Sequence, residues 1–305
     1  MDFKQFLFLL RNNPKKLLVI ILCKLSPLFS DKIYLKCLYR IRMGYWPNFK
    51  NPQTFNEKLQ WLKLYNRNPE YTVMADKVKV KEWVAKRIGE EYLIPTLGVW
   101  DNPDDIDFDT LPNQFVLKCN HNSGRGMYIC KDKSKMDVDA VKKELRKGLS
   151  ENYFLHGREW PYKNIPRKIL AEKYMEDKNS TDGLKDYKLM CFDGKVYCSF
   201  VCSDRYSDEG LKVTFYDREW KRLPFERHYP SAKDDINMPV QYYNMVKLAE
   251  KLSKGIPFVR ADFYEINGRL YFGELTFYPG SGMEEFSPEL WDERLGKLIK
   301  TPWGG

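Results

Sequence analysis

A lysine followed by a glycine-containing loop is the first feature of this sequence that could do chemistry. Lys118 ends a short apolar run, and residues 121–126 (HNSGRG) follow it, with glycines at 124 and 126. Glycines let a loop close over phosphates without steric cost, and successive backbone N–H groups can form a nest for an anion. Neither the Walker A pattern nor G-x-G-x-x-G is present, so a plain hairpin turn beside an exposed lysine fits the spacing as well.

Two segments farther along carry the residue types of a magnesium site. Strand alternation puts Arg260 and Asp262 on one face of a strand, and Glu274 and Thr276 on one face of the next. A two-residue turn at 267–268 would send Glu274 away from Asp262, whereas a three-residue loop would bring these side chains together. Carboxylate and hydroxyl oxygens suit Mg²⁺ that bridges nucleotide phosphates, and a solvated cross-strand ion pair is the alternative.

The elements that must position these residues are short strands joined by turns. Asp193-Gly194 and Asn267-Gly268 each sit between two apolar runs, which is a strong hairpin signal. Strands are predicted over 115–118, 127–130, 169–172, 187–192, 195–201, 258–265 and 270–276, and helices over 77–88, 140–149 and 241–254. The pattern predicts an α+β fold with antiparallel hairpins instead of a strict βαβ alternation.

The first 70 residues read as helical and rich in aromatic side chains. A helix is predicted to begin after Thr54, because Thr54 and Glu57 have the spacing of a capping box. Residues 17–29 are apolar but contain Lys24 and Pro27, so the run falls short of the ~20 residues that a membrane span requires. Two interpretations stay open for residues 1–30: a core helix, or an amphipathic helix that rests on the inner face of the membrane.

Composition restricts the class of protein. The 305 residues include 51 Lys and Arg against 42 Asp and Glu, which gives a formal net charge of +9. With 43% hydrophobic and 30% charged residues, the chain is neither a disordered tail nor a polytopic membrane protein. The charge favours anionic partners without choosing among them. Seven cysteines without a C-x-x-C pair are typical of reduced thiols, which favours a cytoplasmic location.

Taken together and in this order, these segments resemble the ATP-grasp superfamily of carboxylate–amine ligases from about Ala75 to Phe286. The resemblance implies two α+β subdomains that grip ATP between antiparallel sheets, with a helical N-terminal extension. It implies a division of the chain into residues 1–70 and an ATP-grasp domain over 71–300, whose parts are about 71–165 and 166–300. ATP and Mg²⁺ are the implied cofactors.

The resemblance also implies a role for each motif residue. Lys77 resembles the first phosphate-binding lysine, and Lys118 resembles the second. The other nucleotide-binding candidates are Ser123, Gly124 and Gly126 in the phosphate-covering flap, Glu172, Lys173 and Met175 in the adenine hinge, and Asp186 at the ribose. Arg260 resembles the arginine that steadies the transferring phosphoryl group. Asp262 and Glu274 resemble the metal-binding carboxylates, and Thr276 stands where the family usually has Asn.

The sequence segments that flank these motifs are similar to the TupA-like branch of the superfamily. That branch is associated with teichuronopeptide, capsule and other bacterial surface polysaccharides. The segments that carry this similarity are 51–58 with Trp61, and 274–277 leading into Pro279 to Gly282. The implied activity joins a uronic acid carboxylate to an amino acid or amino sugar through an acyl phosphate. The implied partners are an acidic polysaccharide or a lipid-linked glycan precursor and an amine, and the substrate-binding candidates are Lys188, Arg205, Gly280 and Ser281.

Other classes of function stay open on the sequence. Asp105-x-Asp107 and Asp107-x-Asp109 match the D-x-D pattern of glycosyltransferases, although the stretch reads as an acidic surface loop. A glycan kinase on the same fold would consume ATP without an amine, and a non-catalytic glycan-binding module would tolerate Thr276. Nucleic acid is not an expected partner, since no recognised module interleaves aromatic residues with a Lys/Arg run.

Overall fold

The computed structural model describes residues 3–177, 183–203 and 210–301, and these residues form two compact units. The helical unit holds residues 3–67, 154–160 and 278–301, and the sheet unit holds the described residues within 68–153 and 161–277. The division at residue 70 that the sequence suggests, and the further division near 165, stay predictions.

The helices and strands follow the chain in this order. The helices are α1 (Phe3–Asn12), α2 (Pro14–Lys24), α3 (Asp31–Met43), α4 (Phe55–Tyr65), α5 (Glu70–Ala75), α6 (Lys79–Ile88), α7 (Val138–Ser150), α8 (Phe154–Gly157), α9 (Tyr242–Ser253) and α10 (Leu290–Leu298). The strands are β1 (Thr96–Trp100), β2 (Phe115–Cys119), β3 (Met127–Cys130), β4 (Ile169–Lys173), β5 (Asp186–Phe192), β6 (Lys195–Ser203), β7 (Lys212–Asp217), β8 (Glu226–Arg227), β9 (Phe258–Ile266), β10 (Arg269–Thr276) and β11 (Phe286–Ser287).

The sheet unit is built on two antiparallel sheets. One sheet has the strand order β1-β4-β2-β3, and the other has the order β10-β9-β5-β6-β7. Helix α7 contacts β2 and β3, and α9 contacts β5, β6 and β9. Phe115 and Leu117 of β2 and Leu145 of α7 are fully buried in the core between this helix and the first sheet. The α+β class and both predicted hairpins are therefore confirmed.

The helix predicted over 77–88 begins two residues late, at Lys79. The cause is Asp76, whose buried carboxylate accepts the backbone N–H groups of Val78 at 2.9 Å and Lys79 at 3.4 Å. A short aspartate side chain that bonds the backbone ahead of it favours a turn over a continuous helix. Lys77 lies in this turn, and the family resemblance predicts that it binds phosphate.

The helical unit begins with short helices. Helix α4 starts at Phe55 as predicted, because the Thr54 hydroxyl accepts the Glu57 N–H while the Glu57 carboxylate accepts the Thr54 N–H. The apolar run at 17–29 is divided, since α2 ends at Lys24 and a 3₁₀ turn at 26–28 follows. No helix in the described parts of the chain has the length and apolar character needed to cross a bilayer.

A close backbone approach ties the glycine loop to α7. A Cβ atom on Gly148 would lie 2.6 Å from the Gly126 Cα atom and 2.7 Å from the Cys119 Sγ atom. A Cβ atom on Gly126, whose φ is +64°, would lie 2.5 Å from the same sulfur. Because backbone atoms cannot move aside as a side-chain tip can, any side chain at Gly148 must push α7 away from the loop.

We therefore expect Gly148→Ala to destabilise the protein by about 1–3 kcal/mol, as overpacking does. The sign of this change in the free energy of unfolding is informative, because Gly→Ala inside a helix normally stabilises a protein by roughly 0.5–1 kcal/mol. The measurement is the midpoint of urea unfolding at unchanged m-value. The control is Lys143→Ala on the exposed face of the same helix, which should stay within about 0.5 kcal/mol. An unchanged or higher midpoint for Gly148→Ala would contradict the close packing.

Candidate active site

The hairpin β9–β10 brings the predicted metal carboxylates together by a route that neither sequence alternative contained. Its turn has two residues, because Arg269 pairs with Ile266. That turn alone would separate the faces, but a bulge at Gly273 shifts the register so that Glu274 lies opposite Asp262 and Thr276 opposite Arg260. The signal in the sequence is Gly273 itself, since glycine inside a strand often marks a bulge.

Arg260 binds both carboxylates of this hairpin. Its Nε donates to Asp262 Oδ1 at 2.7 Å, and its Nη2 donates to Asp262 Oδ2 at 2.6 Å and to Glu274 Oε1 at 3.1 Å. The Thr276 hydroxyl accepts from Arg260 Nη2 and donates to Glu274 Oε1, each at 3.0 Å. Thr276 thus closes a ring of hydrogen bonds, and both functions of its hydroxyl are in use.

Strand β5 adds a lysine between two acids. Lys188 Nζ lies 2.6 Å from Asp262 Oδ2 and also forms an ion pair with Asp186. Burial opposes ionisation of Asp262, but Arg260 and Lys188 outweigh it and hold the pKa of that carboxyl below its ordinary value. Burial raises the pKa of Asp186, and Lys188 only partly offsets this. Asp186 Oδ1 is buried and has no hydrogen-bond partner among the described residues.

Lys118, the predicted second phosphate-binding lysine, is paired with Glu172, the first residue of the predicted adenine hinge. The Lys118 and Glu172 side chains form an ion pair, and Glu172 Oε1 also lies 2.5 Å from Lys81 Nζ. Burial disfavours the Glu172 carboxylate, but Lys118 and Lys81 together keep its pKa below the ordinary value. The sequence analysis missed Lys81, which lies on α6 four residues after Lys77. Spacing of i, i+4 along the helical pattern could have found it.

Lys77 lies in the turn that Asp76 organises. Its backbone N–H donates to the Asn120 carbonyl at 3.2 Å, and its Nζ donates to the Asn122 carbonyl in the glycine loop. Burial lowers the pKa of Lys77, Glu274 raises it, and Lys118 lowers it further. Lys77 and Lys118 therefore lie close enough for their charges to interact, and Glu274 of the metal hairpin acts on the same ammonium group.

The glycine loop separates into a packed half and an open half. The Gly126 N–H faces Glu144 Oε1 at 3.4 Å, and the Gly126 carbonyl accepts the Cys119 N–H at 3.1 Å. Gly124 has a φ of +87° with open space where a Cβ would be, and both it and Ser123 are exposed. Gly126 is thus occupied in packing the loop, while Gly124 and Ser123 are accessible to a ligand.

The predicted hinge continues directly from β4. The Lys173 backbone N–H donates to the Pro95 carbonyl at 3.0 Å, which leaves its carbonyl as the group that could meet an adenine amino group. Met175 lies two residues beyond the end of the strand and is partly buried. The Glu172 side chain forms ion pairs with Lys118 and Lys81, and its place in an adenine hinge stays a prediction.

The donor set suits a magnesium ion that shares its ligands with a nucleotide. No group of three or more His, Cys, Asp or Glu side chains within the described ranges could hold a metal by itself. Mg²⁺, however, usually takes one or two protein carboxylates and completes its shell with substrate phosphates and water. Asp262 and Glu274 form such a pair, and 47% of the Glu274 side chain is exposed. The unpartnered Asp186 Oδ1 is an acceptor that a ribose hydroxyl could satisfy.

The remaining predicted residues lie elsewhere. Gly280 and Ser281 belong to the helical unit, in a left-handed turn where Lys63 Nζ donates to the Ser281 hydroxyl and carbonyl oxygens, each at 2.8 Å. Lys63 is fully buried beside Glu159, and burial lowers its pKa to about 7.

Arg205 lies outside the described residues. The D-x-D stretch forms exposed 3₁₀ turns, in which Asp107 accepts the Asp109 N–H at 3.0 Å.

Comparison with known proteins connects this geometry to a family. The family model described as TupA-like ATPgrasp matches residues 57–300. No curated protein sequence matches the chain. Among solved structures, the chain resembles a D-alanine–D-alanine ligase from Bacillus anthracis complexed with ATP, at 16% identity and a TM-score of 0.40, over 67% of this chain and 54% of that one.

Two further solved structures show the same level of similarity. The D-alanine–D-alanine ligase from Helicobacter pylori is 14% identical with a TM-score of 0.41, over 80% of this chain and 69% of that one. The ATP-grasp ligase PsnB, solved with a precursor variant, Mg and ADP, is 10% identical with a TM-score of 0.41, over 73% of this chain and 57% of that one. This chain thus spans little more than half the length of the Bacillus anthracis ligase and of PsnB. On the match to its family model, the chain belongs to the TupA-like ATP-grasp family and has the ATP-grasp fold.

Proposed function

We propose that this protein is an ATP-dependent ligase that joins a carboxylate to an amine through an acyl phosphate, on a bacterial surface polysaccharide. The observation that carries the proposal is the convergence, inside the sheet unit, of Lys77 and Lys118 with the Arg260–Asp262–Glu274 network. Cations and carboxylates placed in this way can bind a triphosphate together with its metal ion.

The two chemical steps need little from side-chain nucleophiles. In the first, a substrate carboxylate oxygen attacks the γ-phosphorus of ATP, and ADP leaves. In the second, the amine nitrogen attacks the acyl carbon, inorganic phosphate leaves, and the nitrogen loses a proton as the amide forms. Positioning and neutralisation of charge supply the rate in such phosphoryl transfers. Lys77 and Lys118 bind nucleotide phosphates, and Arg260 neutralises charge on the transferring phosphoryl group.

Asp262 and Glu274 would hold Mg²⁺, which offsets the charge of the nucleotide phosphates when bound. The same two carboxylates now bind Arg260, so a metal ion and the guanidinium compete for Glu274 Oε1 and for both Asp262 oxygens. Release of the guanidinium would leave it able to bind a phosphoryl oxygen. Thr276 donates its hydroxyl proton to Glu274 in this scheme and stays a candidate third ligand, because a lone pair of the hydroxyl oxygen would still be available to a metal ion.

The nucleoside would be held by groups that the strands leave accessible. The Lys173 carbonyl and the Met175 N–H would meet the adenine edge, and Asp186 Oδ1, which has no hydrogen-bond partner among the described residues, would accept a ribose hydroxyl. Gly124 and Ser123 would cover the phosphates. Lys188 ties Asp186 to Asp262, so we assign it to positioning these acids, and Arg205 with the turn at 280–281 stay candidates for the glycan and amine substrates.

The direct test is an ADP-release screen across uronic acids and amino acids with the full chain, ATP and Mg²⁺. We expect ADP and phosphate to form in equal amounts only when a carboxylate and an amine are both present. Turnover with a glycan alone that leaves a stable phosphoester would identify a kinase instead. AMP with pyrophosphate would identify adenylation, and protection from thermal unfolding by UDP-sugars but not ATP would identify a glycosyltransferase.

Glu274→Gln should reduce ATP turnover by at least 100-fold, since it removes the charge of the exposed metal carboxylate in a step that depends on charge neutralisation. The control is Glu219→Gln, which removes the same charge from an exposed turn of the sheet unit and should retain wild-type turnover. Circular dichroism and thermal unfolding check that both variants fold. Wild-type turnover by Glu274→Gln would overturn the metal assignment.

The lowered pKa of Lys77 predicts how ATP binding changes with pH. An ammonium group binds phosphate electrostatically only when protonated, so ATP affinity should fall as pH rises, at a pH below the ordinary lysine pKa of 10.5. In Lys77→Arg the positive charge persists to high pH, and the dependence should flatten. The measurement is the KM for ATP between pH 7 and 10. An identical pH profile in the two proteins would contradict the role of Lys77.

We further propose that α1, α2 and the turn after α2 rest on the inner face of the membrane. Leu9, Leu17 and Leu22 are buried in the helical unit, yet the outer side of this segment is also apolar. The exposed apolar residues there are Leu7, Phe8, Leu10, Leu18, Ile21, Leu25 and Leu28. Residues 3–30 contain basic side chains and no acidic one, which complements an anionic lipid surface.

The test is co-sedimentation of the full chain with vesicles of phosphatidylcholine, with and without phosphatidylglycerol. We expect binding to the anionic vesicles and a loss of at least tenfold in Phe8→Asp/Leu28→Asp, whose parent side chains are 65% and 78% exposed. The control is Val240→Asp, at an 88% exposed position of the sheet unit. Undiminished binding by the double variant would contradict the proposal. So would vesicle-independent dimers that the double variant abolishes, because the surface would then join two copies.

A further inference from the structure

A groove at the other end of β5 has no part in the nucleotide chemistry. It has a volume of about 680 Å³ and lies between the turn that joins β5 to β6 and the outer face of α9. Asp186 begins β5 and the turn follows Phe192, so at about 3.3 Å per residue the groove lies roughly 20 Å from the acids of the candidate active site. It is therefore a separate site within the sheet unit.

Lysines line this groove on two sides. Lys247 and Lys251 lie one turn apart on α9, Lys254 directly follows the last residue of the helix, and Lys195 faces them from the hairpin. All four side chains are exposed. Within the described ranges, Lys247, Lys251 and Lys254 form no ion pair. A stripe of unpaired ammonium groups along a concave surface attracts an extended anion.

Two acidic residues, Asp193 and Glu250, line the groove against four lysines, so the net charge of its lining stays positive. Glu250 forms ion pairs with Arg218 and, at 3.4 Å, with Lys195, and it accepts the Val196 N–H at 3.2 Å. Arg218 and these hydrogen bonds hold the pKa of Glu250 below its ordinary value, against the effect of burial. The Glu250 carboxylate is thus paired with Arg218 and with the hairpin, and Lys247, Lys251 and Lys254 keep a net positive potential.

The other lining groups indicate the class of anion. Tyr92 presents a partly buried ring and Asn244 an exposed side-chain amide, which suit the apolar face and the hydroxyl groups of a sugar. A flat bilayer surface cannot enter a concave groove. Single-stranded nucleic acid is bound on several stacking aromatic side chains, whereas Tyr92 is the one aromatic residue in this lining.

We propose that this groove binds an acidic glycan chain through its carboxylates, away from the reacting end. The identity of the ligand rests on the polysaccharide function proposed above. Bound there, a chain several sugars long would stay attached between turnovers while its reactive carboxylate is presented elsewhere. The contribution is to affinity and not to the chemical step, so no catalytic role is assigned to these lysines.

The test is binding of a fluorescent oligogalacturonate to the full chain without ATP, at several salt concentrations. We expect salt-sensitive binding, and a loss of about tenfold or more in Lys247→Ala/Lys251→Ala/Lys254→Ala, since each exposed charge contact adds a modest attraction and three are removed together. The matched control is Lys131→Ala/Lys143→Ala/Lys297→Ala, which removes the same charge from exposed positions outside the groove and should bind normally. Equal loss in both triple variants would mean non-specific attraction and would overturn the site.

Two further measurements separate the glycan from other polyanions and from the ligase proposal. Tyr92→Ala should weaken binding and Tyr92→Phe should restore it, whereas binding that ignores Tyr92, or tighter binding of an RNA oligonucleotide, would overturn the assignment to a glycan. ATP should protect the groove variant from thermal unfolding as well as it protects the wild type. If the ADP-release screen fails while oligogalacturonate still binds at the groove, the ligase proposal alone is lost. If wild-type protein turns over ATP but binds no oligogalacturonate, the groove proposal alone is lost.

Discussion

The candidate site depends on one buried arrangement of charge: the Arg260 guanidinium clamped on Asp262 across neighbouring positions of a strand. Asp262 is 1% exposed, and a carboxylate at that depth is tolerated only if it is paired and hydrogen-bonded. Arg260 supplies two parallel hydrogen bonds, which is the strongest geometry that a guanidinium offers. Removing either partner would leave an unpaired buried charge, so the two residues define the local electrostatics for everything else in the hairpin.

The same arrangement recurs on the other sheet. Glu172 is buried between Lys118 and Lys81, as Asp262 is buried between Arg260 and Lys188. In each case, an acid holds a cation to which the proposed function assigns nucleotide phosphate. Such a site keeps its basic groups ordered and neutralised without ligand, and a polyphosphate competes with the internal acid for them. Electrostatic preorganisation of this kind lowers the cost of reorienting charged groups during the reaction.

Much of this site could be predicted from sequence, because strand alternation and turn chemistry are local. The hairpin at 267–268 and the shared faces of Arg260 with Asp262 and of Glu274 with Thr276 follow from period two and from Asn-Gly. The pairing register of the two strands could not be predicted, because it depends on the bulge at Gly273, and a bulge is defined by how two strands pair. Sequence also gave no indication that Glu172 would pair with Lys118, because that contact joins two strands distant in the chain.

The environments of the loop glycines also could not be predicted from local sequence. The loop glycines at 124 and 126 look equivalent in sequence, and both have positive φ, yet one is open to solvent and the other packs against Gly148. The difference arises because α7 returns over the end of β2 some twenty residues later, which no local pattern contains.

The distribution of positive charge also distinguishes chemistry from recognition. In the sheet unit, Arg260, Lys188 and Lys118 all face carboxylates at close range, so the site as a whole has little excess charge to attract a distant anion. The excess of basic residues must therefore lie elsewhere, and two places where it is unpaired or lacks acidic neighbours are the α9 stripe and residues 3–30. The function proposed here, on an acidic glycan at a membrane, would need this separation, because free cations inside the site would bind the polymer in place of the nucleotide. In this proposal, one set of basic residues at the surface attracts the anionic polymer over a long range. A different set at the candidate site neutralises phosphate charge at short range.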